Sequence, residues 1–192
     1  MTQNDKPKAA ELGWRLRATN YVYQSDRFDL RQDDLSLPDG EFITFTYVEH
    51  PGFVTIVPVT DEGEVVLIRS YRYTVDDWVW ELPAGGLGNK PDLLPEAVAL
   101  EELKEETGHV VKGTLRLVAT YYCAVGNARM RGHVFLATGV HREGEQHLEH
   151  TEVIQLRLVP IAEALRMARA GEMEDGASAL ALLLCEPHLV PV

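Results

Sequence analysis

Cysteine is scarce: Cys123 and Cys185 are the whole complement of a 192-residue chain. Two thiols without ligand-like spacing exclude both a disulfide framework and a thiolate metal centre. Both are expected to be reduced, with Cys185 packed in a helix. Positive charge is short as well, 18 Lys and Arg against 30 Asp and Glu, for a formal net charge of −12. That balance argues against a protein that grips nucleic acid through its own surface field. It still allows a phosphate-bearing substrate whose charge is met by metal ions. Long hydrophobic runs are missing: the longest, Ala179 to Cys185, is far too short to span a bilayer. Met1 to Ala10 is polar and lacks the apolar core of a signal peptide, so cytoplasmic residence without membrane attachment is expected. Phosphate-loop and serine-nucleophile motifs are absent, and the seven histidines show no metal-ligand spacing.

What is present suits a folded chain, with 45% hydrophobic residues and 25% charged. The length implies one ordinary domain with a small N-terminal appendage, divided here as 1–50 and 51–192. Residues 1 to 11 read as loose. Asn20 to Tyr23, Phe28 to Leu30 and Phe42 to Val48 are rich in aromatic and β-branched residues and predict strands, with a turn at Pro38-Asp39-Gly40. Phe53 to Val59 and Glu64 to Arg69 predict a hairpin closed at Gly63. Trp78 to Glu81 predicts a further strand, halted by Leu82-Pro83-Ala84-Gly85-Gly86. Leu93 to Thr107 predicts a helix with Pro95 in its first turn and Gly108 as its stop. Strands at Leu115 to Tyr121, His133 to Val140 and Glu152 to Val159 precede helices near Ile161 to Ala170 and Ala177 to Leu184. The fold class is α+β, mostly antiparallel, with C-terminal helices covering a sheet.

The helix carries the chemistry. Glu101, Glu102, Glu105 and Glu106 crowd its C-terminal turns, and at about 100° per residue Glu102 and Glu106 lie about 40° apart, one turn above each other. Like charges at this spacing repel by a few tenths of a kcal/mol each, and only Lys104 interleaves. Leu100, Leu103, Ala97 and Ala99 imply that the helix is partly buried. The preceding glycines let backbone approach a ligand closely. Clustered carboxylates supply the hard oxygens that Mg²⁺ or Mn²⁺ prefers.

Glu102-Leu103-Lys104-Glu105-Glu106-Thr107-Gly108 resembles the end of the Nudix signature, Gly-x5-Glu-x7-Arg-Glu-U-x-Glu-Glu-x-Gly-U, with U a bulky aliphatic residue. Glu81 to Gly86, Val65 to Tyr73 and Gly171 to Gly176 resemble the ADP-ribose pyrophosphatase-like subgroup. The likeness spans roughly residues 40 to 185. Glu101 stands where the signature has arginine and His109 where it ends on an aliphatic residue. Leu93, or Asp92 when counted from Gly86, stands at its first glutamate.

The resemblance implies an α/β/α sandwich with a mixed sheet and an additional N-terminal antiparallel sheet that dimerises. It implies a metal-dependent pyrophosphohydrolase acting on a nucleoside-diphosphate sugar, ADP-ribose first, to give AMP and a sugar phosphate. Glu102 and Glu106 would bind metal with the Ala84 carbonyl, Glu105 assisting, and Glu152 or Glu149 would supply a further ligand or the base. Arg72, Glu81, Tyr71 and Arg131 are candidates for substrate contact. The alternatives are a Nudix-fold binding module, which Glu101 favours, and the same chemistry on GDP-mannose or a dinucleoside polyphosphate.

Overall fold

The computed structural model describes residues 6–88, 90 and 92–189. The chain forms two compact units, Met1–Pro51 with Tyr122–Met130, and Gly52–Tyr121 with Arg131–Val192.

In the first unit a short helix α1 (Pro7–Glu11) precedes three antiparallel strands, β1 (Arg15–Tyr23), β2 (Asp29–Ser36) and β3 (Phe42–Glu49). Ala128–Arg129, which lie between the strands expected from sequence, pair in parallel with Val48 and Glu49 of β3. Of the segment expected to be loose, residues 1–5 lie outside the described residues, and the rest includes a helix, started by Pro7 at its first turn. β2 reaches well beyond the apolar Phe28 to Leu30, because its charges are paired inside the unit. Asp33 accepts from Arg31 Nε (2.9 Å), Lys6 Nζ (2.6 Å) and Thr19 Oγ1 (2.8 Å). Burial alone would push the Asp33 pKa up; those three donors outweigh it and hold the value at about 2.

The second unit is built on a mixed sheet. β4 (Phe53–Thr60) and β5 (Glu64–Arg72) form the expected hairpin, followed by β6 (Asp77–Glu81) and β7 (Ala84–Gly86). Then come helix α2 (Pro95–Thr107), β8 (His109–Val111), β9 (Leu115–Tyr122), β10 (the Ala128–Arg129 pair already placed in the first unit) and β11 (Arg131–Arg142). β12 (Ile154–Pro160) leads into α3 (Ile161–Ala170) and α4 (Gly176–Cys185). The strand order is β12-β5-β4-β11-β8, with β6 on β5, β7 on β4 and β9 on β11. β4 and β11 run parallel, so both are covered on two faces and read as nearly continuous apolar runs. Val54, Ile56, Val66, Phe135 and Ala137 pack under α2 against Val98, Ala99 and Leu103. Val57, Val59, Leu67, Val134 and Leu136 pack against Ala164, Leu165, Ala181 and Leu182 of α3 and α4. Alternate residues of one strand thus serve opposite layers, giving the α/β/α arrangement expected. Leu100, expected on the buried side of α2, is exposed, and Val98 takes that place. Among the described residues no helix is long and apolar enough to cross a membrane.

Candidate active site

The Leu82-Pro83-Ala84 turn and helix α2 meet at the carboxylates. Glu106 is 3% exposed, and its Oε2 accepts the Ala84 N–H at 2.9 Å. Burial pushes the Glu106 carboxyl well above the usual range; the Ala84 bond opposes this, and the charges of Glu102 and Glu152 add to it. Glu102 lies directly against Gly85, where any β-carbon would overlap its carboxylate. Its own pKa is raised, first by burial, then by Glu105 and Glu152, against the pull of Lys90.

Lys90 is a residue that sequence reasoning overlooked. Its ammonium lies 3.0 Å from Glu101, 3.3 Å from Glu102 and 3.3 Å from Glu105. Burial works against that charge, and the hydrogen bond to Glu101 with the fields of Glu102 and Glu105 overcomes it, so the pKa is raised. Nothing in local sequence patterning announces a lysine that acts twelve residues away.

The C-terminal end of α2 is capped from afar. Gly108 has φ of 70° and its N–H reaches Lys104 O. A β-carbon there would also meet the Gly144 carbonyl at 2.3 Å, so glycine is required twice over. Gln146 Nε2 donates to Glu106 O (2.7 Å) and the His147 N–H to Glu105 O (2.8 Å). These bonds dock the loop carrying Glu149 and Glu152 against the helix, and the Glu149 N–H donates to Glu152 Oε2 (2.8 Å). The 171–176 stretch braces the other side. Glu174 accepts the Trp80 N–H (3.0 Å), and Asp175 caps α4 by accepting the Ser178 N–H. The Ser178 hydroxyl oxygen in turn accepts the Leu82 N–H (2.9 Å).

A family model for the NUDIX domain matches residues 48–181, which takes in the whole of this assembly. The chain belongs to the Nudix family. It is 32% identical over 166 residues to an ADP-ribose pyrophosphatase of Bacillus subtilis, covering 86% of this chain and 88% of the relative. An ADP-ribose pyrophosphatase of Mycobacterium tuberculosis is 34% identical over 167 residues, 85% of this chain and 79% of the relative. A crystal structure of an ADP compounds hydrolase superposes with a TM-score of 0.77 at 20% identity, over 92% of this chain and 94% of that one. With these relatives, the chain is a Nudix hydrolase of ADP-ribose pyrophosphatase-like type.

Within this Nudix frame the other expected residues divide. Arg72 and Glu81 are brought together, Arg72 Nε donating to Glu81 Oε1 (2.7 Å) with a second bond from Nη2 to Oε2. Glu81 is buried, which raises its pKa against the pull of Arg72. Tyr71 donates its hydroxyl to Asp76 (2.7 Å) and meets Trp78 edge-on at 6.2 Å. Arg131 opens β11; since Gly132 pairs with Phe53 and Phe53 with Gly86, it lies at the end of the sheet where β7 finishes. Its near neighbour in sequence Arg129 belongs to the first unit, ion-paired to Glu49 at 2.9 Å. A cavity of about 370 Å³ in that unit is lined by Trp14, Phe45, Tyr47 and Arg129 among others, and none of the expected site residues lines it.

Nudix hydrolases generally use divalent metal. Among the described residues no three carboxylate, imidazole or thiolate groups stand ready as a metal cage. The donors nevertheless fit a hard divalent ion in kind: carboxylate oxygens from Glu102, Glu105 and Glu106, with Gly85 leaving room at Glu102. The Lys90 ammonium stands between Glu102 and Glu105 as their shared cation.

Proposed function

We propose that this protein hydrolyses the diphosphate of a nucleoside-diphosphate sugar, ADP-ribose first, to AMP and ribose phosphate, with Mg²⁺ or Mn²⁺. The observation that carries the reading is the convergence of Glu102 and Glu106 on the Ala84-Gly85 turn. Glu102, Glu106 and the Ala84 carbonyl would hold the metal, with Glu105 and Glu152 in support. When bound, such an ion neutralises the diphosphate and lowers the pKa of a water.

The chain's own groups do the rest. Glu106, fixed by the Ala84 N–H, keeps one oxygen committed and one to offer. Glu149 or Glu152, on the loop docked to α2, would receive the proton of the attacking water. The Arg72–Glu81 pair would present a guanidinium edge to a phosphate oxygen, a geometry arginine suits. Tyr71 would offer a ring face to a base, and Arg131 a charge to phosphate.

A twofold homodimer through the strand-rich first unit belongs to the same reading, as does residence in the reducing cytoplasm, where the thiols of exposed Cys123 and buried Cys185 would stay reduced. Light scattering at micromolar concentration is expected to give twice the chain mass.

The test is a panel of nucleotide sugars with Mg²⁺ or Mn²⁺, comparing wild type with Glu102→Gln. Cleavage of ADP-ribose to AMP by wild type alone supports the reading. Preference for GDP-mannose or a dinucleoside polyphosphate would keep the chemistry and move the substrate. No turnover of any of them would favour a nucleotide-binding module.

A further inference from the structure

The acidic end of α2 poses a problem of placement. Four glutamates within two turns repel one another, and flexible side chains under repulsion splay rather than converge. One cation meets three of them: Lys90 Nζ contacts Glu101, Glu102 and Glu105 at 3.0, 3.3 and 3.3 Å. An ammonium has three donors and no acceptor, which matches three carboxylates. The Lys90 side chain is mostly buried, Glu102 more so, and Glu101 is half exposed. The lysine therefore reaches inward from an anchor at the rim.

We infer that Lys90, anchored by Glu101, is the positioning residue that sets the carboxylates of Glu102 and Glu105. This rests on the proposed role of those two glutamates. The site thus has its cation on the loop before the helix and an anion at helix position 101, the reverse of the signature's arginine. Glu101 is not a lost arginine but the other half of a displaced pair. An arginine introduced at 101 alone would face Lys90 and repel it.

The experiment uses the full-length protein and the variants Lys90→Ala, Lys90→Arg, Glu101→Arg and Glu101→Arg/Lys90→Ala. Mn²⁺ binding is read by electron paramagnetic resonance, and kcat and KM with ADP-ribose. Lys90→Ala is expected to weaken Mn²⁺ binding and lower kcat about tenfold or more with KM little changed, while Lys90→Arg stays within about threefold. Charge alone predicts the opposite sign, since removing a cation beside carboxylates should tighten Mn²⁺ binding. Glu101→Arg is expected to fall like Lys90→Ala, and the double variant to recover to within about threefold of wild type as the introduced guanidinium takes over the lysine's role.

Tighter Mn²⁺ binding in Lys90→Ala, simple additivity in the double variant, or no Mn²⁺ binding by wild type would each overturn the inference. If ADP-ribose is not a substrate, the Mn²⁺ series decides alone, so failure of the substrate reading and failure of the positioning role remain separate.

Discussion

A β-carbon on Gly85 would stand 2.1 Å from the carboxylate of Glu102. That is far inside van der Waals contact, yet the atoms it strikes are the end of a side chain that can swing away. Backbone at Gly85 needs no special conformation, since its φ is not positive.

Gly85→Ala should therefore fold almost normally and fail as an enzyme. Thermal midpoints are expected within a few degrees of wild type, with kcat down about a hundredfold on the scale of a misplaced reacting group. Unfolding by heat and steady-state kinetics on one preparation separate the two effects. A large loss of stability would mean that the turn, not Glu102, had given way.

Glu106 carries the opposite trade. A carboxylate 3% exposed beside other carboxylates costs the fold free energy, and under the proposed function activity is the return. Glu106→Gln keeps an oxygen for the Ala84 N–H and removes the charge. Without added metal its melting point should rise, at about 2–4 °C per kcal/mol for a chain of this size. Added Mn²⁺ should then stabilise wild type and leave Glu106→Gln unmoved. A variant that melts lower than wild type would contradict this.

Much of this architecture is legible in sequence, and the reasons differ by element. The β4–β5 hairpin and α2 announce themselves because their apolar periodicity and glycine stops are local. β2 hides because Arg31 and Asp33 are buried as a hydrogen-bonded pair, which hydropathy reads as surface. The crowding of Glu101, Glu102, Glu105 and Glu106 follows from helical spacing, and the choice of Glu102, Glu105 and Glu106 among them from the resemblance to the Nudix signature. Lys90 and Gln146 do not, for their partners are twelve and forty residues away and only tertiary structure makes the contact.

Arg72 and Glu81 offer a test of a half-buried pair. Arg72→Ala leaves the Glu81 carboxylate unpaired in a dry setting and should cost about 2 kcal/mol, less than a fully buried pair because Arg72 is half exposed. Adding Glu81→Gln to it should return most of that loss. Urea midpoints of the four members of the cycle measure the coupling, and simple additivity would argue that the two side chains act apart.

Acid stability should hinge on Asp33. Its pKa of about 2 in the folded protein lies below the ordinary 3.8. A depressed acid stabilises the fold above its unfolded value and loses that contribution as pH falls through the folded one. At neutral pH the contribution is about 2 kcal/mol. The stability gap between wild type and Asp33→Asn should thus hold near pH 7 and close between pH 3.8 and about 2. Denaturation curves across that range give the gap directly, and a gap that ignores pH would place the stabilisation elsewhere.

The parallel pairing of Ala128 and Arg129 with Val48 and Glu49 has a consequence for biogenesis. On a ribosome, β3 emerges some eighty residues before the two-residue strand that pairs with its end at Val48 and Glu49. For all of that interval the amides and carbonyls at the Val48–Glu49 end of β3 lack the strand that later pairs with them, leaving the kind of edge on which strands from other chains pair. Truncation between residues 51 and 122 would make that interval permanent. Shortened products of this gene should accordingly aggregate, even when the N-terminal strands they retain are whole.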